Sequence, residues 1–312
     1  MTYPDFLIEW RNATDFIVCQ TSGSTGTPKS IRLPKQLMEE SARRTVDFFN
    51  LSSKSHLHSC ISPEFIGGKM MAVRSELSGA RLAWETPSNR PLRDRENEPI
   101  DLLAVVPSQM IDLIERLDSL PQINAIIIGG APIQTALRRR IEESGLNAWE
   151  TYGMTETASH IALRRVKAEP EPFSTLPGIE ISTNSGGRLI IGLGKWGTFH
   201  TNDIADIGQD GRFSILGRAD NVIITGGKKV HPEQVEALLE SVLDTEVLVS
   251  GMPDDKWGEK VVLTVGESIS ISPDEIMNIC RRELSKEYVP KEIRIASIPR
   301  TANGKKKRRQ TI

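Results

Sequence analysis

The sequence predicts an α/β protein of two unequal domains: a large N-terminal domain of helix-covered sheets and a small, mobile α+β C-terminal domain. Its 312 residues exceed the roughly 250 at which a single hydrophobic core stops growing. From about residue 101 apolar strand runs alternate with helical periods, the rhythm of a sheet covered by helices. After Gly217 the pattern changes to short strands around two helices. The expected division is residues 1–217, a hinge at 218–220, and residues 221–312.

Element by element, Phe16-Ile17-Val18-Cys19 reads as a strand. Leu102-Leu103-Ala104-Val105-Val106 is a second, followed by a helix over 108–117 and the β-branched run Ile126-Ile127-Ile128, which ends at Gly129-Gly130. Residues 133–144 repeat the helical period, with Gly145 able to cap them, and 147–151 are strand-like before Gly153. In the second domain 232–242 and 273–287 read as helices and 292–298 as the last strand. The junction, Gly217-Arg218-Ala219-Asp220-Asn221, lacks a proline-serine linker, so it predicts a tight hinge instead of a loose tether.

Composition narrows the function classes. With 39 basic and 41 acidic residues the formal charge is -2, which gives no field to hold nucleic acid or an anionic membrane; small-molecule partners are expected. No apolar run reaches the roughly 18 residues of a membrane span, and the first ten residues lack the basic and apolar parts of a leader. Cys19, Cys60 and Cys280 are odd in number and scattered, which argues against a disulfide framework and against a zinc site. A cytoplasmic protein fits best.

The sharpest signal is Thr21-Ser22-Gly23-Ser24-Thr25-Gly26-Thr27-Pro28-Lys29. Its glycines let backbone N–H groups turn toward phosphate oxygens, and its hydroxyls and the Lys29 ammonium add donors. The kinase-type phosphate loop is absent, because here lysine follows proline. Further along, Tyr152-Gly153-Met154-Thr155-Glu156 sets an aromatic plane, a hydroxyl and a carboxylate together for base, phosphate and cation. Alone, the same pattern reads as a turn and a helix cap.

These segments resemble the signatures of the adenylate-forming superfamily of acyl-CoA synthetases, luciferases and peptide-synthetase adenylation domains. The resemblance runs in order from Thr21 to Lys305. It implies that Thr21, Ser22, Gly23, Ser24, Thr25, Gly26 and Lys29 hold ATP phosphates. It further implies that Tyr152 and Gly153 meet the adenine, that Thr155 touches phosphate, and that Glu156 helps hold magnesium. Gly130 and Ala131, in Gly129-Gly130-Ala131-Pro132, resemble the loop lining the adenine and acyl sites, although a plain strand-to-helix turn fits them equally. Asp203 matches the ribose-binding acid; Asn202 replaces the usual glycine, and asparagine is the next best residue for a left-handed turn. Arg218 matches a nucleotide contact and Asp220 the pivot of domain rotation. Gly226 and Gly227 match the glycines beside the thiol-bearing arm of coenzyme A. His231, before a helix-starting proline, is given no catalytic role.

Pro299-Arg300-Thr301-Ala302-Asn303-Gly304-Lys305 matches the last signature. Its lysine enters the active site and bridges the substrate carboxylate and the α-phosphate, a place for a cation because two anions must meet there. Lys305, Thr155 and Glu156 are therefore the catalytic expectations. Residues 306–309 are expected to be a solvated basic tail.

Only twenty residues precede Thr21, far fewer than the family usually has, so an N-terminal sheet is expected to be pared down. A homodimer is one way to cover the resulting flank. Over 62–74 the chain resembles the short o-succinylbenzoate-CoA ligases of menaquinone synthesis. There Phe65 takes the aromatic position of the acyl pocket beside Gly67, and Arg74 falls where those ligases keep an arginine for the substrate's ring carboxylate. An ion pair of Arg74 with Glu76 is an equal alternative; Met70 and Met71 read as core, and Lys69 as a further cation near the acid. The resemblance implies ATP, Mg2+ and coenzyme A as reactants or cofactors, and an aromatic carboxylic acid joined to coenzyme A through an acyl-adenylate. Other aryl- or acyl-CoA ligases, a stand-alone adenylation enzyme feeding a carrier protein, and an inactive nucleotide-binding sensor are the rival readings.

Overall fold

The computed structural model describes residues 1–20, 29–93, 98–267, 269–300 and 306–308. Helix α1 (Tyr3–Arg11) leads to the hairpin of β1 (Phe16–Gln20) and β2 (Ser30–Pro34). Gln20 pairs with Ser30 in the antiparallel register, so the two ends of the expected phosphate loop are tied together; Thr21, Ser22, Gly23, Ser24, Thr25 and Gly26 lie outside the described residues.

Next come α2 (Lys35–Phe48), β3 (His56–Ser59), α3 (Ile66–Ser78), β4 (Arg81–Trp84), β5 (Leu102–Val105), α4 (Pro107–Glu115), β6 (Ile126–Ile128), α5 (Thr135–Glu143), β7 (Ala148–Met154), β8 (Ser159–Arg165) and β9 (Ser174–Thr175). Their strands form a seven-stranded sheet in the order β4-β3-β5-β6-β7-β8-β9, parallel from β4 to β7 and antiparallel beyond. The central strands β5 and β6 are buried along their whole length, as expected of a parallel sheet covered on both faces. Alternate side chains split between two cores. Leu103, Val105, Ile126 and Ile128 pack with Met110, Leu113, Leu137 and Ile141 of α4 and α5, and Leu57, Leu102, Ala104 and Ile127 pack with Met71 of α3.

A four-stranded antiparallel sheet follows, made of β10 (Glu180–Thr183), β11 (Arg188–Gly192), β12 (Thr198–Ile207) and β13 (Phe213–Arg218). The last sheet contains β14 (Ile223–Thr225), β15 (Lys228–Val230), β16 (Val247–Asp254), β17 (Gly258–Val265) and β18 (Glu292–Ile295). Helices α6 (Pro232–Leu243) and α7 (Pro273–Glu283) supply Val235, Leu239, Ile276 and Cys280 to its separate core.

Several element ends differ from expectation. The strand expected over 147–151 continues through Gly153 to Met154, because β8 pairs back along it. The helix expected to reach 287 stops at Glu283, where Leu284 turns extended and buries its side chain. The last strand ends at Ile295, opposite the final residue of its partner β17.

The basic tail is the larger correction. Lys306 and Arg308 keep only 15% and 13% of their side chains exposed. Lys306 Nζ donates to Glu240 at 2.6 Å and to Val247 O at 2.6 Å, while Arg308 meets Glu236 at 2.6 and 3.0 Å. Lys307, between them, is exposed as expected. Burial pushes the Glu236 carboxyl above the usual carboxylate range despite the opposing pull of Arg308 and Lys306. Truncating one partner of such a group leaves buried charge uncompensated, so Glu236→Ala should cost about 3–5 kcal/mol of unfolding free energy in denaturant titration. Adding Lys306→Met and Arg308→Met to that variant should recover part of the loss.

Candidate functional site

The site begins with strand register. Asp203 of β12 stands directly opposite Arg218 of β13, and the Arg218 guanidinium reaches Asp203 Oδ1 at 3.4 Å. The same guanidinium grips Asp220 with two bonds of 2.9 and 2.8 Å. From the seven-stranded sheet, Tyr152 donates its hydroxyl to Asp203 Oδ2 at 2.6 Å. Burial, reinforced by the Asp203 charge, pushes the Tyr152 phenol well above its ordinary pKa, so it stays a donor. Phe173 and Phe213 pack against the Tyr152 ring with centroids 5.7 and 5.3 Å away. Tyr152, Asp203, Arg218 and Asp220, distant in sequence, are thus one cluster.

Thr155 and Glu156 follow β7 in a 3-10 turn, half-buried. A single carboxylate there suits magnesium, which takes one or two protein carboxylates and leaves other positions to water and phosphate. Behind the turn, Ala158 and Ser159 have φ of 52° and 84°. Two consecutive left-handed non-glycine residues store strain of about 1–2 kcal/mol each. The strain is held by Ser41 Oγ, which donates to Ala158 O at 2.7 Å, and by Thr157 Oγ1, which donates to Ser159 O at 2.8 Å. Gly153 is obligatory, since a Cβ would lie 2.2 Å from Ser159 O. Asn202, expected in a left-handed turn, is instead ordinary extended backbone within β12.

Gly130 has φ of 88° and, with Ala131, is exposed beyond β6. Lys29 is exposed ahead of β2. Gly226 and Gly227, with φ of 55° and 77°, form the two-residue turn joining β14 to β15, a local reason for both glycines beside any contact with a ligand. Lys305 lies outside the described residues.

On the other side of β7 and β8, Arg74 of α3 is 1% exposed. Its pairing with Glu76 is excluded, because Glu76 receives Arg11 at 2.9 and 2.8 Å. Instead Arg74 Nη2 faces His160 Nδ1 at 3.5 Å, Nη1 faces Met71 Sδ at 3.6 Å, and Nε is buried without a hydrogen-bond partner among the described residues. Desolvation pulls this guanidinium down to about 9, and the nearby Tyr3 opposes the fall; it remains a cation at neutral pH. A guanidinium only donates, so His160 Nδ1 must accept and the ring proton sits on Nε2, which contacts Thr45 Oγ1 at 2.9 Å. Tyr3 closes the region, its hydroxyl 2.6 Å from Ser59 Oγ and 2.9 Å from Ile61 O.

Phe65, by contrast, is 54% exposed at the start of α3. Close packing there singles out Gly68, whose added Cβ would lie 2.2 Å from Ser62 O, while Gly67 has ordinary clearance. Lys69 is buried and bonds Pro63 O at 2.7 Å, and Met70 and Met71 are core as expected. His160, Thr45 and Tyr3 carry no sequence signal of their own; only His160, four residues past Glu156, stood near a recognised signature.

The family model described as AMP-binding enzyme matches residues 8–183, and that of the AMP-binding enzyme C-terminal domain matches 234–305. The chain belongs to the AMP-binding enzyme family. Within it, a 2-succinylbenzoate–CoA ligase of Bacillus cereus is 27% identical, the match covering 94% of this chain and 69% of that protein. Among solved structures, an AMP-forming acyl-CoA synthetase/AMP-acid ligase II-like protein of Dyadobacter fermentans is 29% identical, with a TM-score of 0.64, over 97% of this chain and 90% of that one. The o-succinylbenzoate coenzyme A synthetase of Bacillus subtilis, in complex with ATP and magnesium ion, superposes with a TM-score of 0.80 at 22% identity, over 92% of this chain and 68% of that one. The α/β architecture, with a large N-terminal domain and a small C-terminal one, is the fold of that family.

Burial, with the Arg74 charge adding to it, holds His160 neutral, its pKa well below the ordinary value of about 6.5. The unfolded chain therefore binds a proton that the fold refuses. Stability should be complete above about pH 6.5 and fall as the pH drops below it, by up to about 1.4 kcal/mol per unit from this group. Denaturant unfolding at several pH values between 7 and 5 should show a shallower slope for His160→Asn than for the wild type.

Proposed function

We propose that this chain is an AMP-forming acid–CoA ligase whose acid carries a second, non-reacting carboxylate, with o-succinylbenzoate of menaquinone biosynthesis as the substrate. The observation that carries the reading is Arg74: a buried cation facing a neutral histidine and a thioether, with Nε unsatisfied among the described residues, is expensive unless an anion completes it. A ring carboxylate offers two acceptor oxygens in the plane that a guanidinium fork matches. The substrate named for the Bacillus cereus relative has this chemistry.

In the first half-reaction the reacting carboxylate attacks the α-phosphorus of ATP, the bond to the β-phosphate oxygen breaks, and acyl-adenylate and pyrophosphate result. Residues 21–26 and Lys29 would hold the phosphates, Tyr152 the adenine, and Asp203 the ribose hydroxyls. Magnesium, held by Glu156, would supply charge neutralisation on the phosphates. Lys305 would bring its ammonium to the carboxylate and α-phosphate, where negative charge grows. The small domain then turns about Asp220 and brings Gly226 and Gly227 to the coenzyme A thiol, which displaces AMP. Releasing Asp220 for that turn means separating it from Arg218, a surface-accessible pair of modest strength.

Two experiments test this. Mass detection of thioester with ATP, magnesium and coenzyme A should favour o-succinylbenzoate over benzoate, a plain fatty acid and an amino acid. Arg74→Met should keep or raise stability while lowering kcat/KM for o-succinylbenzoate by about 10- to 100-fold, with little change for benzoate. Equal turnover of the fatty acid would remove the substrate reading. Lys305→Ala should abolish pyrophosphate exchange into ATP while nucleotide binding persists; a wild type without exchange would point to a sensor instead.

A further inference from the structure

Behind β3, on the face away from Tyr3 and Arg74, three metal-ligating side chains converge. Strands β3 and β4 run parallel with His58 beside Ala83 and Ser59 beside Trp84. One residue further the same register sets Cys60 beside Glu85. Because side chains alternate, His58, Cys60 and Glu85 share one face, while Ser59 points the other way toward the Tyr3 hydroxyl. His58 pairs across with Leu103, and Cys60 packs in the same core as Leu103, Val105 and Met110.

The imidazole nitrogen, thiol sulfur and carboxylate oxygen all lie within 4.8 Å of one another. His58 Nε2 and Glu85 Oε2 are 3.3 Å apart. Two N/O donors bound to a tetrahedral zinc at about 2.0–2.1 Å are separated by roughly 3.3 Å, so this edge is already at coordination length. His58 and Cys60 are 4% and 1% exposed, whereas the Glu85 side chain keeps 24%, a side open to a solvent ligand. The mount is firm. Both Glu85 oxygens accept from Leu92 N–H, at 3.2 and 3.0 Å, and Gln109 Nε2 donates to Cys60 O at 3.0 Å and to Ser88 O at 2.9 Å. Such outer bonds are what hold ligands in place around bound metals. The position, at the carboxyl end of parallel strands, is where α/β sheets carry ligand sites.

We propose that His58, Cys60 and Glu85 bind one divalent ion of the zinc class, with water as the fourth ligand. The donor set of one sulfur, one imidazole and one carboxylate is borderline-soft, which selects zinc or cobalt over magnesium. Binding replaces the thiol proton: Cys60 ligates as thiolate, one proton leaves to solvent per ion taken up, and His58 binds as the neutral ring. The ion ties β3 to the segment 85–92 and so braces the strand that presents Ser59 to Tyr3. It is separate from Glu156 and does not depend on the substrate assignment.

Cobalt(II) titration of the full-length, chelator-treated protein tests the site. One cobalt per chain should bind, with a thiolate-to-cobalt charge-transfer band and tetrahedral ligand-field bands that zinc(II) abolishes. Cys60→Ser should lose the charge-transfer band, and Cys19→Ser and Cys280→Ser should keep it. Zinc(II) should raise the Tm of the wild type, and His58→Gln and Glu85→Gln should remove that rise. Absence of stoichiometric cobalt uptake by the folded wild type, or a charge-transfer band that survives in Cys60→Ser, would overturn the proposal. Should Cys60→Ser fail to fold, unchanged ligand-field bands in His58→Gln would overturn it equally.

Discussion

One carboxylate joins three parts of this protein. Asp203 receives Tyr152 from the seven-stranded sheet and Arg218 from its neighbouring strand, and Arg218 in turn holds Asp220 at the junction with the last sheet. The geometry follows from antiparallel register, which fixes Asp203 opposite Arg218 whatever their side chains do. With Tyr152 boxed in by Phe173 and Phe213, the phenol cannot drift from the acid. Any ligand that hydrogen-bonds to Asp203 would have to compete with Tyr152 and Arg218 for it.

The surroundings of Arg74 are built on the opposite principle. Around Asp203 charges are matched; around Arg74, among the described residues, they are not. A buried guanidinium with a neutral ring and a sulfur for neighbours costs the fold several kilocalories per mole in lost hydration. The strained pair Ala158 and Ser159 sits in the same hairpin that supplies His160. Strain and, among the described residues, an unmatched charge gathered in one place are what sequence-to-structure consistency would ordinarily remove.

Much of this was legible in the chain. The parallel sheet announced itself through continuous apolar runs, and Tyr152, Asp203, Arg218 and Asp220 stood in signatures whose order already implied a shared site. What stayed hidden depends on long-range contact. Nothing in the residues around His160 says that its ring will meet Arg74, and Tyr3 belongs to a short helix that no signature covers. Paired-cysteine spacing, likewise, is silent about Cys60, because its neighbours His58 and Glu85 are assembled by parallel strand register instead of by a compact motif. The basic tail misled for a different reason. A run of five cations reads as solvated, yet Lys306 and Arg308 alternate with exposed Lys307, the period of an extended segment with one face buried.

That tail also bears on how such chains are recognised. The signature residues end at Lys305, and so does the family match. The cations that neutralise Glu236 come after it. A gene copy with a premature stop just past the lysine codon would keep every hallmark of the family and still encode a small domain with a stranded negative charge in its interior. Inspection of motifs would pass it as intact, while the cell would receive a protein prone to unfold.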